Sequence, residues 1–85
     1  MYQVSYKKQA IKALAKMPAD ARLRIALAVE RLADDPDSDA LDVKPLQGRT
    51  GYRLRVGKYR VIYHRDDAVL VILVVDVGPR GDIYK

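Results

Sequence analysis

The chain has 85 residues, a formal net charge of +5, a sequence pI of about 9.6, 49% apolar residues and no cysteine. That length allows one small core in a single domain, residues 1–85, and the apolar fraction excludes a disordered chain. The missing thiols exclude disulfides, a cysteine nucleophile and thiolate metal sites; one histidine, His64, cannot build a histidine cage; and the basic balance points to a polyanionic partner.

No signal peptide is expected, because a polar helix follows close on the N-terminus, and the longest apolar run, residues 68–75, falls far short of the ~20 needed to span a bilayer. A soluble cytoplasmic protein is expected. Residues 1–6 alternate, with Tyr2, Val4 and Tyr6 on one side, and read as a first strand. Residues 7–17 switch to helical spacing, with Ala10, Ile11, Leu14 and Met17 as the apolar stripe. Lys8, Lys12 and Lys16 recur on another helical face, either as a solvated surface or as a second contact with a large polyanion.

Pro18 separates this helix from a second one, whose first turn carries Asp20, an acid that the helix dipole favours. Ile25, Ala28, Val29 and Leu32 form its apolar stripe, so the two helices are expected to pack as a hairpin on one face of a sheet. Pro36 stops the second helix. Asp34, Asp35, Asp37, Asp39 and Asp42 follow without a basic residue among them. A calcium loop would need a central glycine and a distal glutamate, and both are missing. The stretch reads as an acidic linker that keeps negative charge apart from the basic residues beyond it. Leu41, Val43 and Leu46 should pin the connection to the core, while Pro45, Gly48 and Gly51 should break regular structure.

Residues 52–63 are the most informative stretch. Apolar and basic residues alternate through Tyr52, Arg53, Leu54, Arg55 and Val56, the pattern of a strand with one buried and one exposed face. Val56-Gly57-Lys58 then reads as a tight hairpin, because glycine tolerates positive φ. Arg53 and Arg55 share a face, and a suitable register adds Arg60 from the return strand. From Lys44 to Arg65, both included, there are seven basic residues and no acidic one. Like charges on neighbouring strands repel by a few tenths to about one kcal/mol per pair. Such a face is therefore costly unless an anion binds it, and the plainer alternative is a solvated basic surface. Asp66-Asp67 makes the next turn. Residues 69–77 are apolar at nearly every position, as in a central strand covered on both faces. The resulting order is β-α-α-β-β-β, an α+β fold with a helical hairpin on a mostly antiparallel sheet.

Four segments carry a resemblance: Lys44-Pro45-Leu46-Gln47-Gly48, the run from Tyr52 to Tyr63, Val77-Gly78-Pro79-Arg80, and Ile83-Tyr84. In order and spacing, behind a helical hairpin, they resemble the RelE/ParE toxin superfamily and its RelE-like mRNA interferase branch over nearly the whole chain. The resemblance implies a toxin of a type II toxin–antitoxin system, a ribosome-dependent endoribonuclease that cuts mRNA in the A site and so inhibits translation. It implies no metal or other cofactor. It also implies a cognate RelB-like antitoxin, with an acidic or amphipathic segment, in a toxin–antitoxin hetero-oligomer. No membrane partner is expected. The family's functional positions fall on Arg53, Arg55, Arg60, Arg80 and Tyr84. The sequence departs from many relatives at Pro79, where they carry histidine, and it leaves no room after Tyr84 for the C-terminal helix of some members.

Cleavage by attack of the RNA 2′-hydroxyl needs a base for that hydroxyl, cations for the phosphorane and an acid for the leaving 5′-oxygen. Arginine suits the second task, because its planar fork holds two phosphate oxygens and stays charged. The expected catalytic set is Arg55, Arg60, Arg80 and Tyr84, with Arg60 and Arg80 on an exposed face as the phosphate clamp. Arg53, Arg55, Lys58, Lys44 and Arg49 are expected to bind RNA. Tyr84 is the favoured base, with His64, Asp76 and Asp82 as the other titratable candidates. Tyr52, Tyr59 and Tyr63 are expected to be core or stacking residues. Two other functions fit the same fold: a ParE-like gyrase poison, and an inactive antitoxin-binding corepressor.

Overall fold

Alternating and helical spacings sort the described residues into seven elements. A computed structural model describes residues 1–79; the expectations for Arg80, Asp82 and Tyr84 lie outside the described residues. The elements are β1 (Gln3–Tyr6), α1 (Lys8–Ala15), α2 (Ala19–Asp34), β2 (Asp42–Pro45), β3 (Tyr52–Val56), β4 (Tyr59–Asp66) and β5 (Val71–Pro79). The strands form one sheet in the order β1-β5-β4-β3-β2. β1 runs parallel to β5, and every other pairing is antiparallel. The expected α+β architecture is therefore present, as two helices on a five-stranded mixed sheet.

The helix stripes meet the sheet as their spacing predicts. Ile25, Val29 and Leu32 from α2 and Ala10 from α1 form one cluster with Leu54, Val61, Tyr63, Ile72, Val74 and Val77. Leu14 and Met17 pack against its margin. Ile11, expected in the stripe, is 55% exposed. It follows Ala10 directly, and a step of one residue turns about a quarter of the way round a helix, off the buried line.

Two expectations change at the sheet. The connection after α2 was expected to be irregular, yet Asp42–Pro45 forms an edge strand paired with β3. Pro45 is its last residue, an edge position where a missing N–H costs no ladder bond. Leu41 and Val43 pack on the core as expected. The chain then turns through 46–51, closed by Leu46 N–H donating to the Gly51 carbonyl at 3.0 Å.

The second change concerns β5, expected to be covered on both faces. Its buried side chains are Ile72, Val74 and Val77, while Val71, Leu73 and Val75 are only half-buried. The register shifts at Ile62/Tyr63: Ile62 faces Asp76 but Tyr63 faces Val74, so Val75 is the extra residue of a bulge. A bulge reverses which positions face inward. Even positions are buried before it and an odd one after it. The continuous apolar run records that reversal rather than burial on two faces.

One polar cluster ties the sheet end together. Arg65 donates to Asp67 at 2.8 Å, to Asp37 at 2.9 Å and to the Tyr2 hydroxyl at 3.3 Å, and its guanidinium sits 5.7 Å from the Tyr2 ring centroid. The Tyr2 hydroxyl in turn donates to Asp67 at 2.8 Å. These donors, Arg65 first, hold the Asp67 carboxyl below its usual range. A carboxyl depressed in the folded state stabilises the fold above its unfolded pKa of about 4 and loses that contribution as pH falls through the folded value. Wild type is thus expected to melt above Asp67→Asn near neutrality, with the gap closing in strong acid. A gap that is constant across the acid titration would contradict the linkage.

Candidate nucleic-acid interface

Hairpin geometry decides which basic residues meet. Gly57 adopts φ +58 as the first central residue of the two-residue turn, and Val56 pairs with Tyr59 across it. In that register Arg55 stands directly across from Arg60, and Arg53 across from Ile62. β2 adds Lys44 across from Arg53. Arg53, Arg55, Arg60 and Lys44 therefore share one face of the sheet. It is the face opposite Leu54, Val61 and Tyr63, which meet the helices.

The row is not uniformly exposed. Arg55 is exposed, Arg53 is half-buried, and Arg60 is only 5% exposed, against the expectation of an exposed side chain. The reason is position: Arg60 lies on an interior strand between Arg55 on β3 and Gly78 on β5.

The acidic linker does not stay apart from the row. Asp42 is in β2 directly across from Arg55, and it pairs with Arg53 at 3.3 Å and with Arg55 at 4.0 Å. Three guanidinium groups crowded on two strands repel, and one carboxylate at the edge relieves part of that repulsion. Exposed pairs of this kind are worth ~0–1 kcal/mol. Asp42→Asn is expected to release both arginines and tighten single-stranded RNA binding by up to about fivefold, read by fluorescence anisotropy. An affinity that falls would mean Asp42 positions the arginines rather than competing for them.

The other predicted residues divide. Lys58 occupies the turn, with its Nζ 5.8 Å from the Tyr59 ring centroid. It lines a depression with Pro18, Asp20 and Arg24, on the helix side, so the structure does not bring it to the arginine row. Arg49 is exposed in the 46–51 turn. His64 follows Ile62 by two residues and so shares the face of Arg60, as alternation predicted. Asp76 sits across from Ile62, diagonal to Arg60 on the same face, and its carboxylate accepts the Val77 N–H at 2.9 Å. Asp76 also borders a depression of about 480 Å³ with Lys8 and Lys12 of α1 and Lys16 just beyond its end. The helix lysines noted for their regular spacing thus flank the sheet beside the arginine face. Among the described residues no group of three or more histidine, aspartate or glutamate side chains could hold a metal ion.

The tyrosines of the hairpin belong to the core. Tyr52 and Tyr63 stack with centroids 5.6 Å apart, and burial pushes the Tyr63 phenol up to about 12. Such a phenol cannot take a proton near neutral pH. Sequence reasoning missed Asp42 as part of the face. A signal was available, since Asp42, Val43 and Lys44 alternate polar and apolar.

Comparison with known proteins agrees with this geometry. Residues 4–84 match a family model described as ParE toxin of type II toxin–antitoxin system, parDE. RelE in the crystal structure of the archaeal RelE–RelB complex from Pyrococcus horikoshii is 34% identical, with a TM-score of 0.81 over 95% of this chain and 97% of that one. The toxin–antitoxin complex RelBE2 from Mycobacterium tuberculosis contains a chain 27% identical, with a TM-score of 0.79 over 93% of this chain and 98% of that one. A RelE-like toxin protein of Escherichia coli is 27% identical over 99% of this chain and 90% of its own length. With the helical pair, the mixed sheet and the arginine hairpin all in place, the chain belongs to the ParE toxin family of type II toxin–antitoxin systems, on the RelE-like branch of the RelE/ParE superfamily.

Proposed function

We propose that this toxin is a ribosome-dependent endoribonuclease that cuts mRNA in the A site by attack of the RNA's own 2′-hydroxyl, without a metal, and so arrests translation. The observation that carries the reading is the convergence of Arg53, Arg55, Arg60 and Lys44 on the face that the helices leave open. Arginine forks match phosphate geometry. In this reading Arg53, Lys44 and Arg49 hold the RNA backbone. Arg55, Arg60 and Arg80 bracket the reacting phosphate, and Tyr84 takes the 2′-hydroxyl proton. With Tyr84 as the phenolate, the 2′-oxygen bonds to phosphorus as the bond to the 5′-oxygen breaks, the 5′-oxygen takes a proton from water, and the upstream product ends in a 2′,3′-cyclic phosphate. The toxin acts in the cytoplasm; no helix among the described residues is long and apolar enough to cross a membrane. Its partner is a RelB-like antitoxin with an acidic or amphipathic segment, as the RelE–RelB assemblies of similar chains support.

In this reading the cations hold the phosphate, and the alignment of the 2′-hydroxyl for attack comes from outside the toxin. A ribosome holding mRNA in an attack-ready geometry supplies up to ~7–11 kcal/mol. The purified toxin is expected to cut ribosome-bound mRNA rapidly and the same RNA free in solution poorly, as read by primer extension. Equal rates on both substrates would sink the ribosome dependence. A gyrase-poisoning toxin is the second reading, favoured by the parDE description of the matching family. On induction in cells, early DNA damage with translation intact would select it.

A further inference from the structure

We infer that the depression at the β4–β5 end of the open face, walled by Val69, Val71 and Leu73 with the His64 imidazole beside them, seats one unstacked nucleobase of the RNA that runs along the arginine row. This rests on the ribonuclease reading above and names how that same site grips its substrate.

The depression measures about 530 Å³. His64 reaches it from the arginine face, four residues along β4 from Arg60, or roughly 13 Å of strand. Leu73 stands directly across from His64, and it does so because of the bulge. In an unshifted register, with Val75 paired to Tyr63, Val74 would take the position and Leu73 would turn to the core. Val69 is 65% exposed, so an apolar side chain faces water at the rim. Leu70 beside it holds φ +55, a conformation that costs a branched residue energy and that clusters at ligand-binding sites.

The charges here are already engaged. The Asp66 carboxylate accepts the Ala68 N–H at 3.1 Å and the Val69 N–H at 3.4 Å. Asp67 is held by Arg65 and Tyr2. Arg65, Asp66 and Asp67 complete the lining, so a ligand meets an apolar wall and an imidazole with two exposed carboxylates beside them, which suits a base and repels a phosphate. Phosphates belong at Arg53 and Arg55, further along the same face. Single-stranded RNA is read in this way, with unstacked bases against rings and the backbone along cations. The 46–51 turn restrains the ring from another side. A Cβ built at Gly51, where φ is +112, would come within 3.3 Å of His64 Cε1.

Photo-crosslinking tests the seat without requiring cleavage. Ribosomes would be programmed with mRNAs carrying a single 4-thiouridine at successive positions, irradiated with bound toxin and mapped by peptide. One position is expected to crosslink within residues 64–73. His64→Ala should lower that yield about tenfold, as for the loss of one base–ring stack. His64→Phe, which keeps a ring, should restore it, and thermal melting checks that both variants fold. Crosslinks confined to β3, or a yield indifferent to His64→Ala, would overturn the seat while cleavage by wild type left the ribonuclease reading standing. Crosslinking at residues 64–73 without cleavage would do the reverse. A toxin that bound no programmed ribosome would overturn both.

Discussion

Arg60→Ala is expected to slow mRNA cleavage by ~100–1000-fold, the usual cost of deleting one preorganised donor to a developing oxyanion. Arg60 stands in the middle of the row, with Arg55 directly across on one strand and Gly78 on the other. Its burial strengthens the effect, because a guanidinium withdrawn from water acts on a phosphorane through a lower local dielectric. That burial also means alanine leaves a void, so part of any loss could come from the fold. Arg60→Lys separates the two contributions. It keeps the charge and most of the volume but loses the planar fork, so its rate should fall between wild type and alanine. Single-turnover cleavage on programmed ribosomes, with thermal melting alongside, measures both. Wild-type rates in a folded Arg60→Ala variant would remove Arg60 from the phosphate clamp.

The second large effect is expected at Tyr84, proposed as the acceptor of the 2′-hydroxyl proton. General-base catalysis contributes ~100–10,000-fold, so Tyr84→Phe should cut that much more slowly while binding programmed ribosomes almost normally. Phenylalanine keeps the ring and deletes only the ionisable oxygen. A free phenol has a pKa near 10; neighbouring cations lower it and the RNA phosphate offsets part of that shift. The wild-type rate should therefore rise with pH as the phenolate forms, and the variant should lose that rise. The same rate and the same pH profile in Tyr84→Phe would make Tyr84 a packing residue and turn attention to His64 and Asp76. Tyr63 is not a substitute, because its phenol is buried on the helix side and pushed up to about 12.

Local spacing carried much of this protein. Ile25, Val29 and Leu32 recur at helical intervals, and the structure buries all three in one cluster. Tyr52 to Val56 alternates, and that alternation separates Leu54 in the core from Arg53 and Arg55 outside it. Gly57 marked the turn, and the turn brought Arg60 back beside Arg55. These features were legible because each depends on residues a few positions apart, where backbone geometry alone decides which side chains share a face.

The rest depended on contacts between distant parts of the chain. β2 looked like loop because it is short and carries Pro45 at its end, and only pairing with β3 makes it a strand. That pairing placed Asp42 against Arg53 and Arg55, so the charge of the face is set across a sheet edge rather than along a segment. The parallel partner of β1 could not be read for the same reason. On β5 a nearly continuous apolar run hid the bulge at Val75, which decides that Leu73 faces His64 while Asp76 faces Ile62. Arg60 reads as one more exposed arginine in sequence, and its burial is set by the tertiary structure. Period and turn chemistry are local and were visible in the residues; register, edge and burial are set by which strands meet, and only the folded chain brings them together.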